Sequence, residues 1–287
     1  MLNHIAPQTQ SHDIVVMLPG GVPLELVFIP EGDFQMGSPE GEPGRRDYER
    51  LHRVRLTRPF FLGKFLVTQE QWMAVMPPAT KAESPGFWAR LFGAKEPPNP
   101  LVYPFCFCAT GRMKAYVKGT DTSRFPAENI NWEEAKAFCE CLNRDSSVSR
   151  PEGYRFDLPT EAQWEYAARG GDCSQGFRYS GSDNLDEVGW YGKNSGWDLH
   201  PVGLKRPNEL GLYDMSGNCC EWCRDWYAEY EGDVTDPEGP TSGEERVCRS
   251  GCWYDSAEIC RTAFRSCGEP SCQDADQGFR LALVSDP

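Results

Sequence analysis

Apolar residues along this chain come in short bursts rather than long periodic runs. Leu24 to Pro30 reads as a strand closed by the turn Glu31-Gly32-Asp33. Phe34 to Ser38 reads as a second strand, and together the two predict a hairpin. Arg53-Val54-Arg55-Leu56 alternates as a half-buried strand does. Thr68-Gln69-Glu70-Gln71 carries a helix-start signature, with Thr68 as N-cap and Trp72, Val75 and Met76 as the apolar stripe behind it. Asn131 caps a second predicted helix whose buried positions are Ala135, Phe138, Cys139 and Leu142. Thr160 caps a third, with Trp164, Ala167 and Ala168 inside.

The remaining segments follow no period. Residues 1–20 read as a polar N-terminal arm. Residues 77–124 are rich in Pro and Gly and read as an irregular insertion. From Gly170 to Arg246 short loops are expected, and Phe279 to Val284 is a predicted terminal strand. No linker-like shift in composition and no repeat divides residues 21–287. The expectation is one α+β domain with low regular secondary structure.

Composition narrows the function classes. A net charge of −14 argues against nucleic acid and anionic membranes as partners, since both need basic surface. No apolar run approaches membrane-spanning length. Met1 is not followed by a charged and then an apolar segment, so the chain is expected to be cytoplasmic if Met1 is the native start. It is expected at the cell surface if an export segment was removed. The 13 cysteines are expected to be mostly reduced, and the odd count leaves one free in any case.

The densest signal lies between Arg246 and Leu281. Arg249, Gly251, Trp253, Ala257, Arg261, Ala263, Arg265, Gly278, Phe279 and Arg280 form a frame. Short polar, aromatic and thiol residues are interleaved with it on neither helical nor strand period. A frame with arbitrary insertions suits a diversified binding surface, and a mix of aromatic, small and acidic groups is what paratopes use. An ordinary solvated loop is the alternative.

Several phrases, in order, resemble the formylglycine-generating-enzyme (sulfatase-modifying factor) family. They include Phe28 to Ser38, Lys64 to Trp72, Asn131 to Ala135, Arg155 to Gly170, Asn208 to Asn218 and Gly278-Phe279-Arg280. The resemblance spans roughly residues 22–284 and implies a C-type-lectin-like fold built around a small twisted sheet. Members that oxidise a substrate cysteine bind copper(I) through two cysteines with four residues between them. Here Asp255 stands at the first of those positions. The nearby Cys252 and Cys260 have seven residues between them. A hard carboxylate does not replace a thiolate for copper(I). The iron-dependent sulfoxide synthases of the same family add a histidine-bearing bundle for which the four His of this chain leave no counterpart.

The tail also resembles the variable proteins of diversity-generating retroelements, in which template adenines, mostly in Asn codons, are copied with errors. Tyr, Asp, Ser, Phe, Cys, Ala, Gly and Ile can all arise from one AAC codon, whereas Glu258, Glu269 and Gln273 cannot. The resemblance implies a non-enzymatic binder of a protein ligand, expected as a monomer without membrane insertion. Its contact residues would be Ser250, Cys252, Tyr254, Asp255, Ser256, Ile259, Phe264, Ser266, Cys267, Ser271, Cys272, Asp274 and Asp276. An oxidase of the family, dependent on copper or another metal, is the competing reading. No cofactor is required by the first.

Two metal questions remain. Asp214, Gly217, Cys219 and Glu221 match the family's structural calcium positions, and hard oxygens there suit that ion. Equally, Asp214 could cap a turn and Glu221 pair with an arginine. Cys219, Cys220 and Cys223 could hold zinc, or Cys219 and Cys220 could replace apolar residues as small hydrophobes. Arg261, Arg265 and Arg280 read as scaffold beneath the loops.

Overall fold

Three small sheets carry the architecture of the computed structural model, which describes residues 13–76 and 121–286. The largest is five-stranded, ordered β1-β2-β5-β12-β6, from Ile14–Leu18, Val22–Ile29, Phe60–Gly63, Ala282–Ser285 and Tyr154–Asp157. All its pairings are antiparallel. Ile14–Leu18 falls in what the sequence reads as a polar arm. It alternates, with Val16 and Leu18 buried and Val15 and Met17 exposed, and forms the sheet edge. Residues 77–120 of the expected insertion lie outside the described residues.

The expected hairpin is absent. The strand β3 (Gly32–Met36) does not pair with β2 but with β4 (His52–Leu56), and β4 pairs in parallel with β8 (Val234–Thr235). The chain changes sheets at Pro30, whose missing N–H suits a ladder's end. Gly32 then passes the Tyr166 hydroxyl so closely that a Cβ there would stand 2.2 Å from it.

The helices form where the capping signals lie. Thr68, Asn131 and Thr160 each close a capping box at the start of α1 (Gln69–Val75), α2 (Trp132–Arg144) and α3 (Glu161–Ala168). Ala135, Phe138, Cys139 and Leu142 of α2 are buried, as are Trp164, Ala167 and Ala168 of α3. A one-turn helix, α4, spans Leu185–Val188.

The third sheet is ordered β10-β9-β7-β11, from Ser266–Gly268, Arg246–Arg249, Cys220–Trp226 and Gln277–Gly278. It sits under the tail, and its central strand β7 lies within the stretch expected to be loop. β7 is buried on both faces, so alternation gives no sign of it. Cys220 and Trp222 pack into one core cluster, with α2, Phe279 and Leu283, and Cys223 into the other, with α3 and Val54. The terminal strand begins at Ala282, because Arg280 is drawn into contacts described below.

Candidate functional site

The tail is anchored by its arginines. Glu161 and Glu165 stand one turn apart on α3 and point into the protein at 4% and 0% exposure. Arg249, at the end of β9, donates to both at 2.6 Å and to the Thr262 carbonyl. Arg265 grips Glu161 through Nε and Nη2 at 2.6 and 2.7 Å. Arg261 reaches across to Glu49, at 2.6 and 2.9 Å, and to Glu42 at 2.6 Å. Arg280 holds Glu221, which also accepts from the Trp164 indole at 2.8 Å. Arg246 is sandwiched between the Trp226 and Trp132 rings, 3.4 and 3.7 Å from their centroids. The scaffold reading of Arg261, Arg265 and Arg280 therefore matches their geometry. Their carboxylate partners, apart from Glu221, were not identified from the sequence, since only the folded chain brings them together.

The interleaved residues divide into three groups. Tyr254, Ser256, Ser271, Cys272 and Asp274 are exposed, and Asp255, Ile259, Phe264, Ser266 and Cys267 are half-buried. Ser250, Cys252 and Asp276 are buried, which corrects their assignment as contact residues. Ser250 takes a positive φ of 83° and donates from Oγ to the Gly217 carbonyl at 3.1 Å, so it fixes a turn. Cys252 donates from Sγ to Asp255 Oδ2 at 3.1 Å, and its backbone N–H donates to the same oxygen. Asp276 accepts from the Tyr254 hydroxyl at 2.8 Å, while its carbonyl accepts from Cys220 N at 2.7 Å.

Cys252, Tyr254, Asp255 and Asp276 are thus one cluster. Burial pushes both carboxyls above the usual range and pushes the Cys252 thiol far above its ordinary value. Phe264 packs edge-on against Tyr48, 6.4 Å between centroids. Cys267 donates to Glu245 at 3.1 Å. The turn carrying Ser271, Cys272 and Asp274 is tied to the start of α2 by Trp132 N to Pro270 O and Asn129 N to Asp274 O.

The residues do not fit a copper(I) pair. Cys252 is hydrogen-bonded to a carboxylate, and Cys260 is buried with its thiol held protonated by desolvation. Among the described residues no three His, Cys, Asp or Glu side chains converge as a metal site. Of the calcium positions, Asp214 and Glu221 carry the carboxylates. Arg280 and Trp164 take both Glu221 oxygens. Asp214 accepts from Gly203 N at 2.8 Å, and its Oδ1 has no partner among the described residues. Glu221 is thus ion-paired with Arg280, whereas Asp214 bonds across to Gly203 rather than within its own turn. Cys219, Cys220 and Cys223 are buried as small apolar groups.

Residues 19–284 match the sulfatase-modifying factor enzyme 1-like domain. The chain is 33% identical over 295 residues to a formylglycine-generating enzyme of Streptomyces coelicolor, covering 91% of this chain and 89% of that protein. It is 32% identical over 244 residues to the chaperone protein LppX of Paenibacillus barcinonensis, covering 77% and 79%. Among solved structures it is similar to Treponema denticola variable protein 1, with a TM-score of 0.71 and 28% identity over 96% of this chain and 99% of that one.

Proposed function

The chain belongs to the sulfatase-modifying factor (formylglycine-generating enzyme) family, and from that premise we propose that it is a ligand-binding protein rather than an enzyme. Its fold is the family's C-type-lectin-like α+β fold, with few helices and curled sheets. In this reading it is a variable protein of a diversity-generating retroelement, and residues 246–281 display a diversified surface to a protein ligand. The likeness to Treponema denticola variable protein 1 supports it.

The observation that carries the proposal is the division of labour within the tail. Arg249, Arg261, Arg265 and Arg280 are buried and held by carboxylates of α3, β7 and residues 42–49. Tyr254, Ser256, Ser271, Cys272 and Asp274 are exposed between them. Stability is lodged in the frame, so the exposed side chains can change without refolding the domain. An oxidase would instead need a reactive thiolate pair at the position where Asp255 accepts from a protonated Cys252.

Sequencing the DNA beside the gene, in many isolates, tests this. The expected result is a near-copy of codons 246–281 carrying Asn codons at the exposed positions, next to a reverse-transcriptase gene. Isolates should differ at Tyr254, Ser256, Ser271, Cys272 and Asp274 and agree at the arginines. Identical tails in all isolates, with no such copy, would refute the proposal.

A further inference from the structure

Between the three-stranded sheet and the segment after β7 lies a cavity of about 410 Å³. That volume lies within the range of small-molecule sites, about 300–1,000 Å³. Met36, His52 and Val234 line it from the sheet, and Asp225, Trp226 and Tyr230 from β7 and beyond. Asp225 is only 5% exposed. Its Oδ2 accepts from Glu161 N at 2.9 Å, and no other described residue donates to its Oδ1. A carboxylate in that position is costly unless a proton or a cation meets it.

The space over Asp225 is kept by a glycine. Gly239, also in the lining, has φ +71°, and a Cβ there would stand 3.3 Å from Asp225 Oδ1 and 3.0 Å from its Cβ. The remaining charge in the lining is mostly negative. Arg265, its guanidine, is held by both Glu161 oxygens and stacked 3.8 Å from the Tyr230 ring centroid. Glu238 is paired with Arg224 at 2.9 Å. Glu229 and Glu231 are exposed, line the cavity and have no cationic partner among the described residues. An acid at depth, apolar walls and two acids nearer solvent together describe a site for a cation with a carbon chain.

We propose that this cavity binds a small aliphatic diamine, with one ammonium on Asp225 Oδ1, the methylenes along Met36 and Val234, and the second ammonium near Glu229 and Glu231. Hydrogen bonding and charge at Asp225 supply the orientation, and the Tyr230 and His52 rings, tilted at 48° with centroids 4.4 Å apart, offer an aromatic wall that a cation tolerates. The proposal does not rest on the tail being diversified.

Calorimetric titration of the full chain with cadaverine, and with 1,5-pentanediol as its uncharged counterpart, tests it. Cadaverine should bind saturably and the diol should not. Asp225→Asn should weaken cadaverine at least ten-fold. The double variant Glu229→Gln/Glu231→Gln changes only exposed side chains, so it keeps the fold, and it should weaken binding several-fold. Equal binding of the diol, no binding of cadaverine, or full affinity in the double variant would overturn the proposal. So would binding of a lysine-containing peptide in place of the free diamine, which would assign the cavity to a protein partner.

Discussion

Arg280 and Glu221 face each other fully buried, Nε to Oε2 at 2.6 Å and Nη2 to Oε1 at 2.7 Å. The pair ties the chain's end to β7 and fills the carboxylate that a calcium ion would need. Removing one partner leaves a buried, uncompensated charge, which costs about 3–5 kcal/mol. Glu221→Gln is therefore expected to lower the melting temperature sharply. Calcium or a chelator should leave the wild-type melt unchanged, because Asp214 alone offers a free carboxylate oxygen there. A calcium-dependent rise of several degrees would contradict this geometry.

Stability should depend on pH through Asp225. Burial, with Glu161 nearby, pushes its carboxyl up to about 7. The folded state then holds a proton that the unfolded state has already lost above about pH 4. A raised carboxyl pKa means stability falls as pH climbs from about 4 to about 7. The loss is on the order of 4 kcal/mol for three units. Asp225→Asn keeps the acceptor for Glu161 N and removes the titration. The difference in unfolding free energy between variant and wild type should therefore grow toward pH 7 and shrink toward pH 4. A constant difference across that range would show that Asp225 does not titrate there. Asp214, raised by burial to about 6, adds a smaller fall of the same sign.

The parts of this fold that could be read in advance are local. Thr68, Asn131 and Thr160 announce their helices because a capping box is complete within four residues. β7 gives no such signal, since Cys220, Trp222 and Cys223 are all inside and period two disappears. The false hairpin has a related cause: two adjacent strands need not share a sheet, and Pro30 marks the departure. In the tail the inward arginines are legible as a frame. Glu42 and Glu49, which hold Arg261, lie more than 200 residues away in sequence and only the fold brings them near. Ser250 and Asp276 look like surface residues by type, yet Ser250 fixes a turn and Asp276 accepts from the Tyr254 hydroxyl, and the buried Cys252 is tied to Asp255.

Copper chemistry offers a direct discrimination between the binder and the oxidase. Cys252 and Cys260 are buried and their thiols are pushed up by desolvation, so neither is a ready thiolate. Cys173 and Cys272 are the exposed cysteines among the described residues. Copper(I) should bind no more tightly than the chain's exposed thiols allow, and Cys252→Ser/Cys260→Ser should leave that binding unchanged. A Cys-x-Pro-x-Arg peptide should produce no oxygen uptake. Turnover of that peptide would restore the enzymatic reading.

Stability of the tail should be carried by its frame and not by its exposed positions. If the exposed positions are free to vary, Ser256→Ala, Ser271→Ala and Cys272→Ala should each stay within about 0.5 kcal/mol of wild type. Tyr254→Phe should cost about 1 kcal/mol, because the ring stays exposed but Asp276 loses its donor. The frame should behave differently. Phe279 packs edge-on against Trp72 and Phe138 at 6.1 and 5.5 Å, and Trp253 is 6% exposed. Alanine at either should cost about 3–5 kcal/mol through the cavity left behind. Arg261→Ala should cost about as much, roughly 3–5 kcal/mol, by leaving Glu49 buried and unpaired. Thermal or urea melts of these seven variants read the contrast directly. Should the three surface substitutions unfold the protein as readily as Trp253→Ala, the tail is core rather than display, and no diversified surface could be built on it.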